Sequence, residues 1–468
     1  GDIDISASDL YFKGSSELKL NTTERGFEKI VNPEDSQLTY DLPKGPFFST
    51  SLTDASFTLL GSTVTADVDV ILNSAVTGES VNKVEIGVKG MNLSGGLGAV
   101  NSGVSYHLEN LSGYLFADDE GVAGRLSGEM SFPKFSNGIE FSLPNASVDF
   151  NTSNSPLDHI FESKSYRFNE SNFFRSTVNE GKLIKDNVEV FSGDLAFYVD
   201  LSNDVSGLDV DKLFGKVSNA KLSLGDNNLV AMDTGNGSFI VESNGLAADF
   251  SASLIINSDD VYSRGVFSAK VNYTDSAVEI NKRIGDTLFV LNLEKDLDKI
   301  IEGSSTKLLV GSQKIEGDFV LEEVDGLVGV SMRDVNVVVG DSTSDYINLK
   351  VKKGAALIDP EGIAIDAIGD AEILLTNLSA SGEYRVKIKT FERQIAQQFL
   401  DQSTIFIRAG PVTEVYGTNA ALTVAGQYMT GNFNFSKVEE IGMDLTLDNV
   451  NFSLGNENSY ASIQNGSG

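Results

Sequence analysis

Three observations predict an all-β fold built from tandem repeats of long antiparallel strands. Apolar residues alternate with polar ones at period two over long stretches. Strand-plus-glycine motifs return at a fixed spacing. Glycine is plentiful at 45 residues and proline scarce at 8, the balance of long strands joined by tight turns rather than proline-rich linkers.

The alternation is clearest late in the chain. Ile363, Ile365, Ala367, Gly369, Ala371, Ile373 and Leu375 keep one face apolar or small, while Tyr384, Val386 and Ile388 alternate with Arg385, Lys387 and Lys389. That is the pattern of a half-buried strand with one wet face. Val328, Val330 and Met332 are in phase with one another but out of phase with Val335, Val337 and Val339. A one-residue slip sends side chains to the opposite face, so a β-bulge or a crossing between layers is expected at Arg333-Asp334. Comparable slips fall at Lys89-Gly90, Ser218-Asn219 and Asp448-Asn449.

Self-comparison gives the repeat. Lys221–Gly225, Asn336–Gly340 and Asn451–Gly455 are strands running into a glycine, with the glycines 115 residues apart (340 − 225 and 455 − 340). Asn92–Gly96 is a looser copy. The stretches Gly113–Val122, Gly237–Leu246 and Gly354–Ile363 follow as strand, polar turn closed by glycine, and strand. A third marker pairs Leu309–Phe319 with Val424–Phe433, and Gly45-Pro46 pairs with Gly410-Pro411. The resulting division is a partial repeat over 1–90, repeats over 91–205, 206–325 and 326–440, and the start of another over 441–468. Six to eight antiparallel strands are expected in each, arranged as a meander. Either a continuous superhelical or groove-like sheet or a string of β-sandwich domains satisfies the pattern. Gly1–Ile5 aligns with Gly369–Ile373, so the chain is expected to begin in mid-strand, as a segment of a longer array or a subunit whose open ends pair with neighbours. Glu294 to Glu302 and Glu392 to Gln402 have helix-compatible composition and are expected as crossover segments or caps on open sheet ends.

With 35 basic and 67 acidic residues the chain carries a net charge of −32, which repels phosphate backbones and anionic headgroups. Nucleic-acid binding and membrane insertion are therefore not expected, and no apolar run is long enough for a membrane-spanning helix. Cysteine is absent, which removes disulfides, thiolate metal sites and cysteine nucleophiles together. His107 and His159 are the only histidines and sit in non-equivalent polar surroundings, as surface residues would. No phosphate-binding loop, dinucleotide fingerprint, nucleophile elbow or HExxH helix occurs. The expectation is that the chain is not an enzyme and holds no cofactor.

Hard-oxygen turns are the one ligand candidate. Asp226 with Asn228, Asp341 with Asp345, and Asn456 with Glu457 offer the donors calcium prefers, as do Asp118, Asp119 and Glu120. None has the regular spacing of a calcium loop, so the alternative is plain solvated turns. Asn-x-Ser/Thr triplets such as Asn110-Leu111-Ser112 and Asn236-Gly237-Ser238 are numerous, as expected of a chain rich in these residues. The 28 Phe and 13 Tyr sit mostly in the apolar phase of strands, as core residues do.

The strand entering Val339-Gly340-Asp341, the stretch Gly354–Ile358 and the segment Leu422–Gln427 together resemble the tandem-repeat units of very large bacterial cell-surface proteins of the adhesin or filament type. The resemblance implies an extracellular or cell-surface location and a role in adhesion, filament formation or a cell coat. It implies no catalytic residues. Expected partners are neighbouring copies of the same repeat, in cis or by homopolymerisation. The alternative expectation is a lipid- or hydrophobic-ligand-binding β-groove, which would leave a continuous apolar face uncovered.

Overall fold

The computed structural model describes the chain apart from residues 1, 8–9, 22, 24, 32–38, 43–46, 61, 74–83, 98–103, 118–120, 136, 162–163, 202–211, 259–260, 296, 311–312, 341–344, 374–377, 400–403, 425–426, 439–441 and 456–458. It is all-β, and the described residues contain no α-helix. The strands form an antiparallel meander that is not closed into a barrel.

The same series of elements recurs. The strand Leu327–Gly340 is followed by Asp345–Asp359, Gly362–Ile373 and Leu378–Lys389, then a short hairpin of Ile395–Gln398 with Thr404–Ile407, then Val412–Val424 and Gln427–Val438. The preceding copy runs through Lys212–Leu224, Val230–Glu242, Gly245–Ile256 and Val266–Asn272 to the hairpin Val278–Ile284 with Thr287–Leu293, then Ile300–Val310 and Gln313–Val324. The copy before it carries the hairpin Leu157–Phe161 with Lys164–Phe168, and the first has Phe27–Val31 with Thr39–Leu42. The long strands pair with their chain neighbours. That pairing continues from copy to copy without a linker, since Gln313–Val324 pairs with Leu327–Gly340 along its length and Gln427–Val438 pairs with Gly442–Gly455.

By compactness the chain divides into two units. One comprises Gly1–Ser218, Gly237–Ala248 and Asn272–Asp296; the other comprises Asn219–Asn236, Asp249–Val271 and Leu297–Gly468. In each, a short hairpin lies over a face of the sheet. In the second unit Ile395, Ile405 and Ile407 of the hairpin pack on Ala355, Leu357, Ala364 and Val412 of the sheet. In the first, Phe168 packs on Phe116, Ala123 and Phe173, and Ile284 with Phe289 packs on Tyr198. Beneath these three hairpins the sheet is thereby covered. Ala355–Ile358 and Ile363–Ala367 are accordingly buried without interruption and are apolar apart from Asp366, whereas strands away from the hairpins alternate.

The four slips in phase are bulges. Gly90, Asn219, Asp334 and Asn449 take φ of 70°, 51°, 50° and 51°, and register shifts accompany them at Val88/Met91, Glu316/Asp318 and Thr430/Asn432. A second set escapes the phase argument: Asp54, Glu180, Ser305 and Asn419 have φ of 52°, 54°, 51° and 49°. Each is held by the strand that follows. Its backbone N–H donates to a side-chain oxygen of Asp67, Asp194, Asp318 or Asn432, at 3.1, 3.1, 2.9 and 3.1 Å. The bulged donor has lost its ladder partner, and a side chain 13 or 14 residues on restores one.

The described residues of the helix-compatible segments are not helical. Glu392 to Gln402 supplies a bend and the strand Ile395–Gln398, and Ile300 to Glu302 opens the strand Ile300–Val310. Burial of Ile395, Phe399, Ile405 and Ile407 against the sheet overrides the local preference of the Glu, Gln and Ala residues.

Candidate functional site

The hairpins are anchored by one buried polar side chain each, and this is the most regular polar feature among the described residues. Asn272 ends the strand Val266–Asn272 and is 1% exposed. Its Nδ2 donates to the carbonyls of Ser276 at 2.9 Å and Glu294 at 2.7 Å, so it joins the entry and exit of the hairpin. Its Oδ1 accepts from the Thr274 backbone N–H at 3.1 Å, with the Thr274 hydroxyl 2.7 Å away. Asn151 repeats the arrangement, donating to Ser155 O at 2.9 Å and Glu170 O at 3.0 Å and accepting from Ser153 N–H at 3.0 Å. Asn21 donates to Arg25 O at 2.7 Å and accepts from Thr23 N–H at 2.9 Å.

In the last copy the position is Lys389, 2% exposed, whose Nζ donates to Arg393 O at 2.7 Å and to Arg408 O. Burial pushes its ammonium below the ordinary lysine value, with nearby Arg393 acting in the same direction and Glu392 opposing. In three of the copies the residue after this buried plug meets a glycine singled out in the sequence. Thr152 lies against Gly121, Tyr273 against Gly245 and Thr390 against Gly362, and a methyl at Gly245 or Gly362 would overlap the Tyr273 carbonyl or the Thr390 hydroxyl. Close approach is therefore what requires glycine there.

Charged groups beside the plugs neutralise one another. Asp149 is held between Arg125 at 2.7 Å and Arg175 at 2.9 Å. Asp366, almost fully buried, takes a two-pronged bond from Arg385, which raises the guanidinium pKa. Arg393 binds Asp359, and Arg408 binds Glu414 at 2.6 Å. The Tyr416 hydroxyl donates to the second oxygen of Glu414 at 2.5 Å; burial first and this bond second push the phenol up to about 12. These carboxylates are occupied by cations and hydroxyls, and the chemistry they support is cohesion.

Successive copies also touch through their turns. In the second unit Asp226 N–H donates to Gly326 O at 2.7 Å, Gly225 N–H to Glu323 at 3.2 Å, and the Ser258 hydroxyl to Asp359 O at 2.7 Å. In the first, Asn137 Nδ2 donates to Asn244 O at 3.0 Å and Tyr273 O at 2.9 Å.

Of the candidate calcium ligands, Asp226 and Asn228 occupy an exposed single-turn segment, and Asn228 O accepts from Asn257 Nδ2 at 2.7 Å. Asp345 opens the strand Asp345–Asp359 opposite Gly340. Asp118, Asp119, Glu120, Asp341, Asn456 and Glu457 lie outside the described residues. Among the described residues no group of three His, Asp or Glu side chains converges on one point. His107 Nδ1 is 3.0 Å from the Ser94 hydroxyl, and His159 pairs with Tyr166 in a short hairpin.

Sequence reasoning missed the plugs, although a signal was present. Asn21-Thr22-Thr23, Asn151-Thr152-Ser153 and Asn272-Tyr273-Thr274 are all Asn-x-Ser/Thr triplets at near-repeat spacing. Their amides are spent inside the fold, so in these three the triplet encodes a turn. Asn110 is a bulge residue, its N–H held by Asn92 Oδ1 at 3.0 Å. No protein-family model, curated protein or solved structure matches the chain.

Proposed function

We propose that the chain is a non-catalytic structural and adhesive segment of a large extracellular repeat protein, serving as a stiff spacer in a fibre or surface coat. The observation that carries this reading is the way copies are joined. Full-length ladders run from one copy into the next, and turn-to-turn bonds reach about 100 residues along the chain, as from Asp226 to Gly326. Such coupling serves rigidity over distance, and the pairing of Asp149, Asp366 and Glu414 with arginines is in keeping with a cohesive role for these carboxylates. The acidic surface, the absence of cysteine and the resemblance to surface-protein repeats support the location.

Pulling single molecules from their two ends tests the reading. A bare meander peels strand by strand, each strand of 12 residues or so releasing about 40 Å of chain. Copies braced by turn contacts release as blocks, each of roughly 400 Å for about 115 residues. Strand-sized release at every step would refute the proposal.

A further inference from the structure

A strand edge with unpaired backbone groups recruits other strands, and charge or short length is what guards it. Nearly all strands of the short hairpins are guarded in this way. Phe27–Val31, Thr39–Leu42, Leu157–Phe161, Lys164–Phe168 and Val278–Ile284 carry charged residues, and Ile395–Gln398 and Thr404–Ile407 are four residues each. Lys387 also caps Thr404–Ile407, its Nζ donating to the Phe406 carbonyl at 3.0 Å. Thr287–Leu293 has neither guard, being seven residues long and free of charge. Among the described strands it pairs with Val278–Ile284 alone. It is that other strand of the hairpin whose backbone comes within 8 Å of a long strand, Val188–Asp200. The turn between Ile284 and Thr287 has two residues, so this closing pair is hydrogen-bonded and bonded pairs alternate from it. The N–H and C=O groups of Leu288, Val290 and Asn292 therefore point away from the hairpin, and no described residue bonds them. Leu288 and Val290 are 42% and 55% exposed, whereas Phe289 and Leu291 are buried.

We propose that Thr287–Leu293 pairs antiparallel with the same strand of a second copy, about a two-fold axis at Phe289, with Leu288 of each chain opposite Val290 of the other. Two features select a second copy as the occupant. In a chain with 67 acidic residues and a net charge of −32, copies meet closely only where carboxylates do not oppose each other, and this strand has none. The edge is also self-complementary. Its two exposed apolar side chains are two residues apart on the face that Leu288 and Val290 share, so the two-fold gathers all four at its centre. Each Leu288–Val290 pair joins outward-facing backbone groups and exchanges two hydrogen bonds. At the ends of the pairing Asp286 meets Asn292 of the second copy, and no like charges face each other across the new edge. The contact is isologous and closes at two chains, so it ties neighbouring fibres side by side. The inference deepens the spacer reading and rests on it for purpose alone. A chain that releases in copy-sized blocks yet stays monomeric sinks the tie and spares the spacer. One that pairs through this strand yet peels strand by strand does the reverse.

The test is sedimentation velocity on the 468-residue chain over about 5–500 µM, the range of a small, transient contact, at about 0.15 M salt, where charges beyond roughly 8 Å are screened. Two single variants accompany it, Val290→Lys and Leu288→Glu, both at exposed positions. The expected result is a monomer–dimer equilibrium for the parent chain and a shift to monomer, about tenfold or more in the dissociation constant, for each variant alone. Mixing the variants should restore a one-to-one dimer, because the proposed register sets the new lysine of one chain opposite the new glutamate of the other. A parent chain monomeric throughout, a dimer undisturbed in either variant, or a mixture that stays monomeric overturns the proposal. Hydrogen exchange on the unaltered chain covers the case in which a variant misfolds. The outward amides of Leu288 and Val290 should exchange about threefold or more slowly at high concentration than at low, while those of Phe289 and Leu291, already bonded within the hairpin, keep their rates. Unchanged rates at Leu288 and Val290 overturn the proposal.

Discussion

Replacing Asn272 with alanine should loosen the hairpin Val278–Leu293 far more than one surface amide would suggest. The side chain is 1% exposed and makes three directed bonds, to Ser276 O, Glu294 O and the Thr274 N–H. A hydrogen bond contributes about 1 kcal/mol net, and a partner left dry costs about 1–3 kcal/mol, so the loss should be about 3–5 kcal/mol. Local opening governs exchange of the hairpin amides, and they should exchange about a hundredfold or more faster in the variant. Hydrogen exchange read by mass spectrometry over Val278–Ile284 and Thr287–Leu293 measures this directly. Asn272→Lys should recover about half the loss, because Lys389 makes the same two donations in its own copy. A change below about 1 kcal/mol in Asn272→Ala would refute the argument that the plug holds the hairpin down.

Other outcomes follow from the same geometry. Burial lifts the Tyr384 phenol to about 12 from its ordinary 10.0, so the unfolded chain ionises first and native stability drains away as pH rises from about 10 to about 12. Urea midpoints should fall across that window, and fall less in Tyr384→Phe. Because the buried hydroxyl has no hydrogen-bond partner, Tyr384→Phe should also be neutral or stabilising by about 1 kcal/mol at pH 7, measured by denaturant titration. Asp318→Ala removes the acceptor for Ser305 N–H and should cost about 1 kcal/mol, whereas Asp318→Asn should be nearly silent, as Asn432 already plays this part. Gly245→Ala drives a methyl into the Tyr273 carbonyl and should lower the melting temperature, by an amount equivalent to about 1–3 kcal/mol.

The sequence was legible wherever a physical constraint leaves a periodic trace. Long half-buried strands enforce alternation, and a bulge in the middle of one breaks the phase, so the bends at Asp334, Asn219, Asn449 and Gly90 could be placed to within a pair of residues. The second set at Asp54, Glu180, Ser305 and Asn419 left no such trace. The short hairpins were illegible for another reason. Leu157–Phe168, Val278–Leu293 and Ile395–Ile407 differ in length and share no motif, because their task is only to present a few apolar residues to a sheet. Glu392 to Gln402 therefore read by composition as a helix. The plugs were hidden among the many Asn-x-Ser/Thr triplets of the chain and by Lys389, which performs the task of an asparagine with different atoms. The acidic turns were found by composition, and of the residues named there Asp226 and Asn228 stand on an exposed turn.

The clamps on the second set of bulges have a consequence for how such a chain diverges. The bent residue is Asp, Glu, Ser or Asn in turn, while the gripping residue is always Asp or Asn. What is inherited is thus a relation between two positions on adjoining strands, and neither position by itself need look familiar. A lineage of this kind can rewrite most of its letters and keep its curvature. Kinship among its members would then be easier to recognise from paired positions a fixed distance apart than from any single column of an alignment.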